Sequence, residues 1–388
     1  GGARPVAGEA VLAIVGGDVH VGNGVVHRRG TVLCRDGRIA EVGAGVEVPE
    51  GARVIDATGR RVLPGFVAPE GANFGILRGR PRPGEKFGDC LDPESLYTEL
   101  ALSVGITSYF ASGRGRGIAN DANAVIKPAN GAPELMILRE PAALEVAWTR
   151  ASVTDRGSFR TQLTNARSWI AGGRKGRPPA PSGVIAALDR EIPVRMSAQT
   201  RADVLDALEF AKEFDVKLVI EDAHEAWTVA SEIGGRGAIP IVEPRTRRMP
   251  DLAAEDRSGS TIESAAILEK AGVPFCLLPP GGFGGGGTGI SLGGVTGRDL
   301  LTYPLEGAFA IRGGASPDAA LRAITLTAAE ALGVEKRIGS LERGKDADIV
   351  IYQGDPFDYR LMAEVTIVNG RVLYERSKST LFGHLPPR

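Results

Sequence analysis

The stretch IPVRMSAQTRADVLDALEFAKEFDVKLVIED, residues 192–222, reads as a strand, a helix and a second strand. IPVRMSA and KLVIED are apolar runs of strand length, and RADVLDALEFAKEF between them has the amphipathic spacing of a helix. A helical crossover returns the chain in its original direction, so the two strands should pair in parallel. The alternation continues on both sides. GITSYFAS precedes it, and AWTVASEIGGRG, AIPIVEP, TIESAAILEKAG and VPFCLLPP follow. Residues 64–336 therefore predict an α/β domain of the size of a (β/α)8 TIM barrel, whose chemistry belongs at the C-terminal ends of its strands.

The flanks have a different rhythm. VLAIVGGDVHVGNG, GTVLCRDGRIAEVG and ARVIDATGRRVLPG alternate apolar and polar residues between Gly, Asp and Asn turn signals. DADIVIYQGDP and EVTIVNGRVLYE do the same near the C-terminus, and the Asn-Gly pair in the second suits a type I′ hairpin turn. The two ends are expected to pair, giving a composite β-sandwich from residues 9–63 and 337–377, with 378–388 as a tail.

Composition narrows the function classes. The 46 basic and 47 acidic side chains nearly cancel, so no global field recruits nucleic acid or an anionic membrane. No run approaches the ~18 apolar residues of a spanning helix. A start at Gly1 without methionine fits a removed leader or an expression scar, and the expectation is an exported, processed protein. Cys34, Cys90 and Cys276 are too few and too scattered for a disulfide framework or a cysteine zinc site. Only four histidines, His20, His27, His224 and His384, are available to any histidine-built metal centre.

Several motifs together, VIDATGRRVLPGFV, GITS, GRGIANDANAVIK, the 192–222 stretch and LRAITLTAAEALGVEKRIGSLERGKDADIVIYQGDPFD, make the chain resemble the amidohydrolase superfamily, in its imidazolonepropionase-like and prolidase-like branch. The likeness runs from about residue 11 to 377. It implies one or two divalent metals, typically zinc, that activate water against an amide, cyclic amide or related C–N or ester bond. It also implies the ligands: a His-x-His after the first barrel strand, histidines ending strands five and six, an aspartate ending strand eight and, in some members, a carboxylated lysine on strand four. In this sequence the first pair falls on Glu70 and Ala72, the strand-five position on Gln199 with Ser197 beside it, the strand-six position on Asp222, and the strand-eight position at or near Pro280. Lys127, in NAVIKP, does not fall where the strand-four lysine should.

Catalytic zinc takes about three protein ligands, largely histidine, and keeps an open position. These residues do not supply them, so no metal or other cofactor is expected. Glu70, Asp222 and His224, with Gln199, are the residues from which an atypical oxygen-rich site could be built. Against that, Glu70 could simply meet a local amide or arginine, and His224 could be a loop residue. Glu221 and Asp222 form an acidic pair, but neighbours on a strand face opposite ways, so at most one should reach the mouth.

Arg78, Arg80 and Arg82 in ILRGRPRPGEK, with Arg114 and Arg116 in SGRGRG, could clamp an anion, although exposed charges are usually just solvated. GGFGGGG at 281–287 lacks the Lys-Ser/Thr of a phosphate loop. No Gly-x-Ser-x-Gly elbow is present.

The expected function is a catalytically inactive structural or regulatory subunit, in a homo-oligomer or in a hetero-oligomer with an active amidohydrolase relative. The alternatives are a divergent C–N hydrolase, and a binding protein holding a small anionic ligand through Arg78 and Arg114. Neither a nucleic-acid partner nor a membrane span is expected.

Overall fold

The computed structural model describes residues 11–71, 77–82, 84–113, 115, 117–128, 136–253, 258–280, 289–290 and 299–384. The N-terminal part forms strands β1 (Val11–His20), β2 (Val26–Arg35), β3 (Arg38–Gly43), β4 (Arg53–Asp56) and β5 (Arg61–Pro64). β6 (Phe66–Ala68), helix α1 (Leu96–Ser103), β7 (Ile106–Ser112), β8 (Ala119–Asn120), β9 (Asn123–Ile126), β10 (Ile137–Arg139) and β11 (Leu144–Val146) follow. Helices α2 (Val153–Ala171) and α3 (Ser182–Leu188) lead to β12 (Val194–Ser197), α4 (Arg201–Phe214), β13 (Leu218–Glu221), α5 (Ala230–Arg236), β14 (Ile239–Val242), α6 (Ser264–Lys270) and β15 (Cys276–Leu277). The chain ends through α7 (Tyr303–Arg312), α8 (Pro317–Ala323), α9 (Leu326–Ala331), β16 (Ile349–Tyr352), β17 (Ala363–Val368) and β18 (Arg371–Glu375).

The two termini share one sheet. Its order is β18-β17-β16-β5-β1-β2-β3, with β4 also on β1, and β16 joins the C-terminal strands to β5 in antiparallel register. Leu12, Ile14, Val19, Val32, Ile349, Ile351 and Ile367 build a core for this sheet, separate from the main one. Asn369 and Gly370 both take positive φ between β17 and β18, which is the backbone an Asn-Gly hairpin turn needs. The strands form one continuous ladder in which β1 pairs with β4 along its first half and with β5 along its second.

The middle of the chain is the α/β layer. β11 to β15 pair in parallel in chain order. The 192–222 stretch supplies the central crossover. Thr200 and Asp203 cap α4 reciprocally, and Val204, Ala207, Leu208, Phe210, Ala211 and Phe214 form its buried face. β6 and β7 make a second parallel pair.

The described ladder does not close into the eight-stranded ring expected from the alternation. Antiparallel β9 lies beside β7 and antiparallel β8 beside β11, so the parallel strands fall into two segments. Side-chain and loop contacts bring later elements onto β6: the Tyr303 hydroxyl donates to the Val67 carbonyl at 2.8 Å, and the Val67 amide to the Ile324 carbonyl at 2.8 Å. Among the described residues, no helix is long and apolar enough to cross a membrane.

Candidate functional site

Parallel pairing sets Glu145 of β11 directly against Arg195 of β12, and Ser197 against Glu221 of β13. Because the side-chain period of a strand is two, Arg195 and Ser197 share a face. Arg195 is fully buried. Its Nε donates to Glu221 Oε1 at 2.7 Å and its Nη2 to the Pro69 carbonyl at 2.9 Å, while the guanidinium lies 4.0 Å from the centre of the Phe110 ring. An uncompensated charge there would be costly, and Glu221 supplies the counter-ion.

Glu145 takes three donors on one oxygen, from Ser112 Oγ at 2.9 Å, Asn120 Nδ2 at 2.8 Å and Asn123 Nδ2 at 3.1 Å. Burial pushes its pKa up to about 7, with repulsion from Glu221 adding to the rise and Arg195 opposing it. A carboxyl inside the layer therefore titrates near neutral pH.

Past the strand ends, a second group forms. Asp222 follows β13 with φ +52°, a left-handed backbone that breaks the alternation of the strand. As a result Glu221 reaches Arg195 while Asp222 also turns back to β12, where Ser197 Oγ donates to its Oδ2 at 2.5 Å. Both carboxyls of this neighbouring pair therefore contact side chains of β12. His224 Nε2 lies 3.4 Å from Glu243 Oε2, just past the end of β14, and Thr246 Oγ1 donates to the same oxygen. The ligand atoms of Asp222, His224 and Glu243 all lie within 4.8 Å of one another.

Glu225 anchors the loop that follows β14. Its buried carboxylate accepts the Arg201 amide at 2.8 Å, the Gly259 amide at 2.8 Å and Arg248 Nε at 3.1 Å.

The residues singled out from sequence distribute unevenly. Asp222 and His224 come together; Gln199 instead offers its carbonyl to the Glu225 amide, and Ser197 is the β12 residue on Asp222. Glu70 lies half-buried after β6 and has a partner of its own, while Pro280 follows β15. The guanidinium of Arg78 sits on Asp92 at 3.0 Å. Ala72 and Arg114 lie outside the described residues. Lys127 is buried at the far side, bound to Asp346 at 2.8 Å and Asp348 at 2.9 Å. Glu145, Arg195 and Glu243 escaped the sequence reading. A charged residue inside or just past a short apolar strand run was the available signal for all three.

A layer of parallel strands with polar groups gathered past their C-terminal ends defines a class of α/β proteins whose sites lie at those ends. The amidohydrolase family profile matches residues 294–374. A dihydroorotase of Anaeromyxobacter dehalogenans (strain 2CP-C) is 30% identical over 273 residues, 68% of this chain and 55% of the relative. An imidazolonepropionase of Thermoplasma volcanium is 38% identical over 68 residues, 16% of this chain and 17% of the relative. Among solved structures, an amidohydrolase from Thermotoga maritima MSB8 superposes with TM-score 0.74 at 24% identity, covering 94% of this chain and all of the other. A putative prolidase from Bifidobacterium longum gives TM-score 0.53 at 16% identity over 95% of each chain. The family profile and these relatives support the amidohydrolase superfamily for this chain. The chain spans about half the length of the dihydroorotases it matches.

Proposed function

We propose that this chain keeps the amidohydrolase fold, its two parallel segments being arcs of one (β/α)8 barrel, and has given up the superfamily's metal hydrolysis. It then serves as a structural or regulatory subunit, assembled with copies of itself or with an active amidohydrolase relative. The observation that carries this reading is the chemistry of the strand ends. Where the superfamily's metal would need imidazole and carboxylate, β12 ends in the Ser197 hydroxyl, with the Gln199 amide beyond it, and β15 runs into Pro279 and Pro280. A hydroxyl, an amide and two proline rings do not make the donor set of a catalytic zinc.

The test is native mass measurement joined to turnover assays on cyclic amides and Xaa-Pro dipeptides, with Zn²⁺ and Mn²⁺ supplied. Assembly into several chains, or co-elution with a relative, without turnover is the expected outcome. Turnover that disappears in Asp222→Asn would overturn it. That result would select a second reading, a divergent C–N hydrolase, which the likeness to dihydroorotases and the convergence of Asp222, His224 and Glu243 favour.

A further inference from the structure

We infer that Asp222, His224 and Glu243 form a binding site for one divalent transition cation, a clamp between the loops that follow β13 and β14. This site is displaced from the superfamily positions, since of these three only Asp222 occupies one of them. It is independent of whether the protein hydrolyses anything.

Geometry is the first support. The three ligand atoms come from two neighbouring strand ends and lie within 4.8 Å of one another. The 3.4 Å between His224 Nε2 and Glu243 Oε2 matches two corners of a tetrahedral ion with bonds of about 2.1 Å. The ligand atom of Asp222 lies no farther than 4.8 Å from either of them.

Charge is the second. The Glu243 side chain is only 8% exposed, and among the described residues His224 is the one basic side chain within ion-pair distance of either carboxylate. The nearby cations are committed elsewhere, Arg245 to Glu306 and Arg248 to Glu225. Two carboxylates brought this close to one another favour a cation between them.

Orientation is the third. Ser197 holds Oδ2 of Asp222 and leaves Oδ1 without a hydrogen bond among the described residues, while Thr246 Oγ1 fixes the Glu243 carboxylate through the Oε2 that faces His224. Neighbours that fix a carboxylate by hydrogen bonds are how proteins aim metal ligands. The mixture of one imidazole and two carboxylates suits zinc, iron or manganese better than the all-oxygen shells of calcium and magnesium.

The experiment is titration of chelator-stripped protein with Zn²⁺ by calorimetry, with Mg²⁺ for comparison. About one Zn²⁺ per chain at micromolar affinity or tighter is expected, together with a higher melting temperature and little response to Mg²⁺. His224→Ala and Glu243→Gln should each weaken binding at least tenfold. Their circular dichroism should match the parent. Should either variant fail to fold, Co²⁺ in the parent chain provides a second measurement, and a visible ligand-field spectrum with nitrogen and oxygen donors is expected. Binding weaker than millimolar, equal binding by the folded variants, or no Co²⁺ spectrum would overturn the site. Zn²⁺ binding with turnover would keep this site and overturn the silent reading; absence of binding would overturn this site and leave that reading intact.

Discussion

Glu145 shows how far one residue's chemistry departs from what its letter suggests. Folded, it holds its proton to about 7, whereas its ordinary value is 4.5. Between those values the folded state binds more protons than the unfolded one, so this group lowers stability as pH rises through that window. The shift corresponds to at most ~3 kcal/mol at pH 7 and above, because one pKa unit is about 1.4 kcal/mol. Glu145→Gln removes the titration while keeping an oxygen for Ser112, Asn120 and Asn123. Urea unfolding at a series of pH values should therefore give a flatter decline between about pH 5 and pH 7 in the variant than in the parent. An identical slope would mean that Glu145 is ionised at neutral pH. The sequence marked the strand containing Glu145 only weakly, since LEV is three residues long and the donors come from β7, β8 and β9.

At the scale of elements, one carboxylate gathers donors from the loop past β14. Glu225 ties it to the start of α4 through the Arg201 amide and to the far end of the loop through the Gly259 amide. The exposed Met249 and Leu252 lie between these anchors. Glu225→Ala leaves the buried Gly259 amide without its acceptor, a loss of about 1–3 kcal/mol concentrated in this segment. Limited proteolysis should then cut at residues 247–253 several-fold faster, with the global unfolding midpoint moved much less. Uniform acceleration across the chain would show that Glu225 supports the whole layer instead. The helix and strands around this loop were legible from periodicity. The anchoring was not, because a carboxylate 34 residues away from Gly259 leaves no local mark.

The whole molecule depends on how the terminal sheet is locked to the α/β layer. Lys127, buried just after β9, donates to Asp346 Oδ2 at 2.8 Å, Asp348 Oδ1 at 3.1 Å and Asn369 Oδ1 at 2.6 Å. Thr366 Oγ1 to the Leu102 carbonyl at 2.6 Å and the Tyr352 hydroxyl to the Val104 carbonyl at 3.0 Å complete the seam. Lys127→Met would leave the buried Asp348 without a cation among the described residues, whereas Asp346 keeps Arg337 and Arg38. The expected cost is about 3–5 kcal/mol, read as a lower denaturation midpoint. A change below about 1 kcal/mol would reduce the network to a satisfied but energetically neutral contact.

The amino-acid sequence by itself determined the alternation of strands and helices in the middle of the chain, the strand-rich character of both ends and the Asn-Gly turn, because period and turn chemistry are local properties. It also placed Asp222 and His224 near a strand end. Only the tertiary structure decided that Ser197 rather than Gln199 meets Asp222, that Glu243 joins His224, and that Lys127 serves the seam. Those partners are set by strand register and by a left-handed backbone at Asp222, which act across space between residues that the chain keeps apart.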